Sequence, residues 1–237
     1  MRILHLLCDE GITGELWLAA LVDAGAEPAE LQATIDAAGV AVQLEAEPVE
    51  ARHVRAARVR LVTGPDAPRL DRAAQLHDAV DTAGLAPRAE KRAHAIIDAL
   101  VRAEAAVHGV DPVDVRLHEL GRARTAAGIV AGAAALEALD VDRVTVGPVA
   151  VGDGSLEIDH GRFPVPPPAV LQLLAGFTIE GGGRRQELTT PSGAAVLAAL
   201  AEPVTSTPRL RLEAHGRGVS GEGAAQRLLT LLVGEQR

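Results

Sequence analysis

Ile3-Leu4-His5-Leu6-Leu7-Cys8-Asp9-Glu10-Gly11-Ile12-Thr13-Gly14-Glu15 is the stretch that sets the fold class. Ile3 to Leu7 reads as a short buried strand, apolar but for His5. Gly11 and Gly14 mark a turn. Thr13 is placed to cap a helix and Glu15 to complement its dipole, so a helix runs to about Asp23. Strand, glycine-bearing turn and helix start together form the building unit of a layered protein. Backbone N–H groups at such a junction can hold an anion, and Asp9, Glu10 or Glu15 a cation. An ordinary strand-to-helix connection explains the same residues.

The rest of the chain extends this alternation. Pro28 and Gly39 bracket a second helix. Residues 40–50 and 53–63 alternate loosely and read as two strands. Gly64-Pro65-Asp66-Ala67-Pro68 is a turn cluster, and a sub-boundary of the chain would fall there. Helical spacing returns at 70–83 and 87–108, the second segment carrying Ile96, Leu100 and Val107 on one apolar stripe. A further helix is expected from Thr125 to Leu139, where Gly128 and Gly132 clear one face for close packing, in water or at a subunit contact. Val144 to Val151 is strand-like. Short helices follow Pro166 and Pro191, and late strands are expected at Leu210–Ala214 and Leu228–Leu232. Gly181-Gly182-Gly183 and Gly216–Gly223 read as flexible loops. The fold class is α/β (or α+β), a mixed sheet flanked by several aliphatic helices. Residues 1–237 are expected to form a single domain, and the strand order stays open.

Composition narrows the function classes. Of 237 residues, 48% are hydrophobic but only 1% aromatic, so the core is built from Ala, Leu and Val. The net charge of −9 opposes a nucleic-acid partner. Cys8 is the single cysteine, which leaves no intrachain disulfide and fits a reducing, cytoplasmic setting. Asp9 and Glu10 interrupt the N-terminal apolar run too soon for a signal peptide. No apolar run of about 18 residues is present, so no membrane span is expected.

Three later motifs place polar, ligand-capable side chains on loops beside helix starts. They are His118-Glu119-Leu120-Gly121; His160-Gly161-Arg162-Phe163-Pro164-Val165-Pro166-Pro167-Pro168-Ala169; and Glu187-Leu188-Thr189-Thr190-Pro191-Ser192-Gly193-Ala194-Ala195. Imidazole suits nickel, zinc and similar borderline metals, and the adjoining Glu119 can orient a ligand or act as a base. His108, followed by Gly109, reads as a helix C-terminus, where a histidine is also ordinary cap chemistry. Arg122 and Arg124 sit at a helix start, where the macrodipole disfavours cations; they either hold an anionic ligand or are simply solvated. Thr190 reads as an N-cap with Pro191 behind it. Ser192 and Gly193 then leave N–H groups open, which makes either a phosphate cradle or a well-capped helix. The prolines of the middle motif fix its backbone whether or not His160 binds anything.

In order and spacing these motifs resemble the LarC nickel-insertion family, and the N-terminal loop is similar to that family's opening Gly-Ile-Ser-Gly-Asp. The resemblance implies loading of nickel into a pyridinium bisthiocarboxylate mononucleotide. It implies metal handling by His108, His118 and His160, a catalytic part for Glu119, and nucleotide binding by Arg122, Arg124, Thr190, Ser192 and Gly193. It covers the family's N-terminal domain only. CTP with Mg or Mn would be bound by a separate domain or chain, and a homo-oligomer is the expected assembly. Three positions depart from the family's acidic residues: Leu7, Arg124 and Gly128. The reading is therefore a LarC-like cyclometallase component, lyase-type if active. Two alternatives stand beside it: a divergent non-catalytic paralogue that binds a nucleotide-like ligand or a partner chain, and a small-molecule enzyme of a biosynthetic pathway.

Overall fold

The computed structural model describes residues 1–117, 121–158, 161–222 and 225–236. In chain order they form β1 (Arg2–Cys8), α1 (Gly14–Asp23), α2 (Pro28–Ala37), β2 (Val42–Ala51), β3 (Val54–Thr63), α3 (Ala73–Thr82), α4 (Pro87–His108) and α5 (Ala123–Ala138). Then come β4 (Arg143–Ala150), β5 (Ser155–Ile158), β6 (Gly161–Pro164), α6 (Pro168–Leu173), β7 (Ile179–Glu180), α7 (Pro191–Leu200), β8 (Ala201–Pro203), β9 (Leu210–Ser220) and β10 (Arg227–Gln236). A mixed sheet runs β2-β3-β9-β10-β1-β4-β7, with β8 also on β4, so the fold is α/β.

Strand β1 lies inside this sheet, antiparallel to β10 and parallel to β4. Ile3, Leu4, His5 and Leu6 are all buried, as expected of a strand covered on both faces. Leu4, Leu6 and Cys8 join the main core, while His5 points the other way and meets Thr145 Oγ1 at 2.9 Å. The core is continuous across the 64–68 turn, since Leu61 and Leu70 belong to the same cluster. No described helix is long and apolar enough to cross a membrane.

Of the expected Gly216–Gly223 loop, Gly216 and Gly218 lie in a strand. β9 continues through Gly216 and Gly218, and α1 lies directly on it. A Cβ at Gly216 would stand 2.0 Å from the Ala20 carbonyl oxygen, and one at Gly218 would stand 2.2 Å from that of Leu16. Helix backbone touches strand backbone there, so the glycines serve packing rather than mobility. The glycine face of α5 has a similar role: a Cβ at Gly132 would reach 2.8 Å from Trp17 Nε1 of α1, within the same chain.

Three further expectations shift. The helix expected from residue 70 starts at Ala73, because Leu70 N–H donates to Gly121 O at 3.0 Å and Leu117 N–H donates to Asp71 O at 2.8 Å. Val107 leaves the buried stripe of Ile96 and Leu100 and is 37% exposed. The β5–β6 hairpin, with Leu156 opposite Phe163, has no strong alternation in sequence and was not expected.

Candidate functional site

Several helix starts meet around one cleft of about 940 Å³. At α1, Thr13 Oγ1 accepts from Leu16 N–H at 3.1 Å, as its cap position predicts. At α7, Thr190 Oγ1 accepts from Gly193 N–H at 3.5 Å and lies 3.1 Å from Ser192 Oγ. At α5, Arg122 occupies the cap position with no side-chain cap and no acidic residue in the first turn. The first turn of α5 therefore supplies no carboxylate of its own to offset the positive end of the helix dipole. Thr13, Arg122, Arg124, Thr190 and Ser192 all line the cleft.

Close backbone contact brings these ends together. Ile12 N–H donates to Thr189 Oγ1 at 3.3 Å, Thr189 Oγ1 donates to Ala150 O at 2.7 Å, and Thr190 N–H donates to Ile12 O at 3.1 Å. A Cβ at Gly11 would stand 2.2 Å from Leu188 O, and one at Gly193 would stand 2.2 Å from Ile12 O. The N-terminal loop and the Glu187–Ala195 motif thus interlock, and only glycine fits where they cross. Gly193 lies in this junction rather than among the lining residues.

Behind the junction Glu10 gathers cations. Its carboxylate accepts from Arg52 at 2.8 Å and from Leu228 N–H at 2.9 Å, with Arg184 at 3.6 Å. Burial alone would raise this carboxyl. The Arg52 hydrogen bond, the Leu228 N–H and the charges of Arg52 and Arg184 outweigh it and hold the group below its ordinary value. The 181–185 loop is tied down by the same contact: Arg184 also donates to Gln226 O at 2.9 Å, and Gly182 packs against Leu188 and Ala150.

The rest of the wall mixes charge and apolar surface. His108 ends α4 ahead of Gly109 in the left-handed conformation, φ 65°, with its Nε2 3.4 Å from Glu104 Oε2. Arg227 donates to the carbonyls of Glu187 and Leu188 at 3.1 and 2.9 Å. Burial lowers its guanidinium from the usual value, Glu187 opposes, and the group stays charged. Trp17 and Phe163, two of the three aromatic residues in the chain, also line the cleft. Sequence reading did not assign Phe163 or Arg227 to the site. Phe163 lies inside the second motif, but its position depends on the β5–β6 hairpin.

The structure therefore brings together His108, Arg122, Arg124, Thr190 and Ser192. His118, Glu119 and His160 lie outside the described residues. Among the departures from the resembled acidic pattern, Arg124 and Gly128 line the cleft, whereas Leu7 sits half-buried on β1 away from it. Cys8 is buried, and burial, aided by Asp9, pushes its thiol far up, which makes it inert as a nucleophile.

The family model described as nickel insertion protein matches residues 4–235. A protein of Akkermansia muciniphila named pyridinium-3,5-bisthiocarboxylic acid mononucleotide nickel insertion protein is 35% identical over 228 residues, covering 92% of this chain and 56% of its own length. A Nocardioides protein of the same name is 39% identical over 220 residues, covering 89% of this chain and 54% of its own. The chain thus spans a little over half the length of these curated relatives. No solved structure matches it. By the extent of the family match, the chain belongs to the nickel insertion protein family.

Proposed function

We propose that this chain is the part of a nickel-insertion protein that holds a pyridinium bisthiocarboxylate mononucleotide while nickel is introduced into it. The observation that carries the reading is the convergence of the α1, α5 and α7 starts, with Arg122, Arg124 and Arg227, on a cleft of about 940 Å³. Helix N-termini and guanidiniums together recognise a phosphate. The volume suits a mononucleotide, since ligand clefts run from roughly 300 to 1,000 Å³. Phe163 offers an aromatic face on which a cationic pyridinium ring can stack.

In this reading Arg122, Arg124, Thr190 and Ser192 hold the phosphate and Gly193 keeps their loop in place. His108 presents nickel, the cargo, together with His118 and His160, and Glu119 takes the proton released as the metal-bound carbon forms. Sulfur donors of the substrate then replace imidazole on nickel, a soft-ligand preference that lets a delivery site release its metal. The activity is a lyase-type cyclometallation in the cytoplasm, on one domain formed by residues 1–237. CTP and its Mg or Mn ion belong to a separate domain or chain.

A second reading, a paralogue that binds the ligand without inserting metal, draws on one observation. Arg124 and Gly128 occupy the cleft wall at positions where the resembled pattern carries carboxylates. The two readings separate in one experiment. Pyridinium-3,5-bisthiocarboxylic acid mononucleotide is titrated into the protein, then nickel and CTP are added with the complementary CTP-binding portion of a relative. The first reading predicts micromolar binding, about −8 kcal/mol, weakened in Ser192→Ala, followed by a nickel-containing product. Binding without product selects the paralogue. Absence of binding overturns both.

A further inference from the structure

Helices α3 and α4 bring a second group of metal-type ligands together at the surface, apart from the cleft. The rings of His77 and His94 stack with centroids 4.9 Å apart, and their Nδ1 atoms are 2.7 Å apart. Their outer nitrogens face acids. His77 Nε2 lies 3.3 Å from Asp98 Oδ1. His94 Nε2 lies 3.1 Å from Asp81 Oδ1 and 4.0 Å from Glu90 Oε1. Each helix pairs a histidine with a carboxylate four residues away, His77 with Asp81 and Glu90 with His94, so one face of each supplies both ligand types.

Proton counting shows what this arrangement lacks. The Nδ1–Nδ1 contact, the His77–Asp98 contact and the His94–Asp81 contact each set lone pairs against each other and need one hydrogen between them. Two neutral imidazoles carry only two ring hydrogens. If His77 donates from Nε2 to Asp98, its bare Nδ1 accepts from His94 Nδ1–H. The bare nitrogen is then His94 Nε2, which faces Asp81 and Glu90. A proton, a metal cation or a water O–H satisfies that point, and a metal also draws in both carboxylates.

The spacing also fits a metal. The three ligand atoms lie within 4.8 Å of one another. Metal–ligand bonds of about 2.1 Å give octahedral edges near 3.0 Å and diagonals near 4.2 Å. The 3.1 and 4.0 Å separations fall close to one edge and one diagonal. An imidazole with two carboxylates selects borderline first-row ions over magnesium or calcium, which prefer oxygen alone. Asp98 and His77 then act as the outer partners that fix the ligand ring. His94 and His108 lie fourteen residues apart on α4, about 21 Å of helical rise.

We propose that Asp81, Glu90 and His94 form a surface site for a nickel- or zinc-type divalent cation, with the His77–Asp98 pair holding the His94 ring in its ligating orientation. The site stands on its own geometry and goes beyond the mononucleotide reading. The test is titration of nickel chloride and zinc chloride into tag-free protein carrying His108→Ala, His118→Ala and His160→Ala, which removes the histidines proposed to handle nickel. One equivalent of metal should still bind, magnesium chloride should not compete, and His94→Gln should abolish the event. Asp81→Asn, a change at an exposed side chain that leaves the fold intact, should weaken it at least tenfold. His77→Gln should weaken it roughly 10- to 100-fold through the ligand ring. In the triple variant, substoichiometric nickel should broaden the His77 and His94 ring resonances before those of the remaining histidines. Absence of stoichiometric binding in the triple variant, or binding unchanged by Asp81→Asn and His94→Gln, overturns the proposal.

Discussion

The two ends of α4 carry the same side chain in opposite company. Near its C-terminus His108 joins a cleft lined by helix starts and three arginines together with the carboxylates of Glu15, Glu104 and Glu187. Toward its N-terminus His94 faces Asp81 and Glu90, and its ring stacks on His77. The first surrounding places guanidiniums and helix starts that suit an anion beside a histidine–carboxylate pair, and the second offers only imidazoles and acids, which suit a cation. A third histidine, His5, has neither: it is buried with Thr145 Oγ1 beside it, and burial holds its ring below the usual value. A histidine thus carries little information by itself. What it does depends on the charges and N–H groups that the fold sets around it.

The strongest way to break the contrast is to pry the cleft apart. Gly193→Ala puts a Cβ 2.2 Å from Ile12 O, so the α7 start and the N-terminal loop must separate. A loss of about 3 kcal/mol is expected, read as a lower urea midpoint. A change within about 0.5 kcal/mol would mean the junction is not rigid. Next comes Arg124→Ala, which should cost about 1.5–3 kcal/mol of mononucleotide affinity, roughly 10- to 100-fold, by calorimetry. Metal binding at Asp81 should not move.

Glu10→Gln acts on the frame behind the cleft and should cost about 1–2 kcal/mol of stability at neutral pH. The sign of its pH dependence follows from a carboxyl held low in the folded state. Its contribution is present above the ordinary value of 4.5 and fades as pH falls through the lower folded value. The variant should therefore lose less stability than the parent between pH 5 and acid. His5 gives the smallest effect and a different window. Its folded value lies below 6.5, so the unfolded chain takes up a proton first and stability declines as pH drops below 6.5. His5→Gln should flatten the stability profile there. A slope identical to the parent would assign that decline to other groups.

Much of the frame was legible because its signals are local. Thr13 and Thr190 cap helices as their types predict, and Pro28, Pro87 and Pro191 start them. Arg122, Arg124, Thr190 and Ser192 were each legible as polar residues at helix starts. That they share one cleft was not, because their meeting depends on β1, β4 and the interlocked glycines. Gly216 and Gly218 misled for the same reason. Composition reads glycines as slack, whereas here they let α1 lie on β9, a contact between residues about 200 positions apart. The His77–His94 pair left no motif, since it arises only when α3 packs on α4.

The most direct test is a crossed titration of the unsubstituted protein, Arg124→Ala and Asp81→Asn, each with the mononucleotide and, separately, with nickel chloride. Two independent losses are predicted. Arg124→Ala should weaken the mononucleotide at least tenfold and leave the Asp81-dependent nickel event unchanged, and Asp81→Asn should do the reverse. If either variant weakens both ligands together, or if Arg124→Ala leaves the mononucleotide unaffected, the separation of anion and cation sites along α4 is wrong.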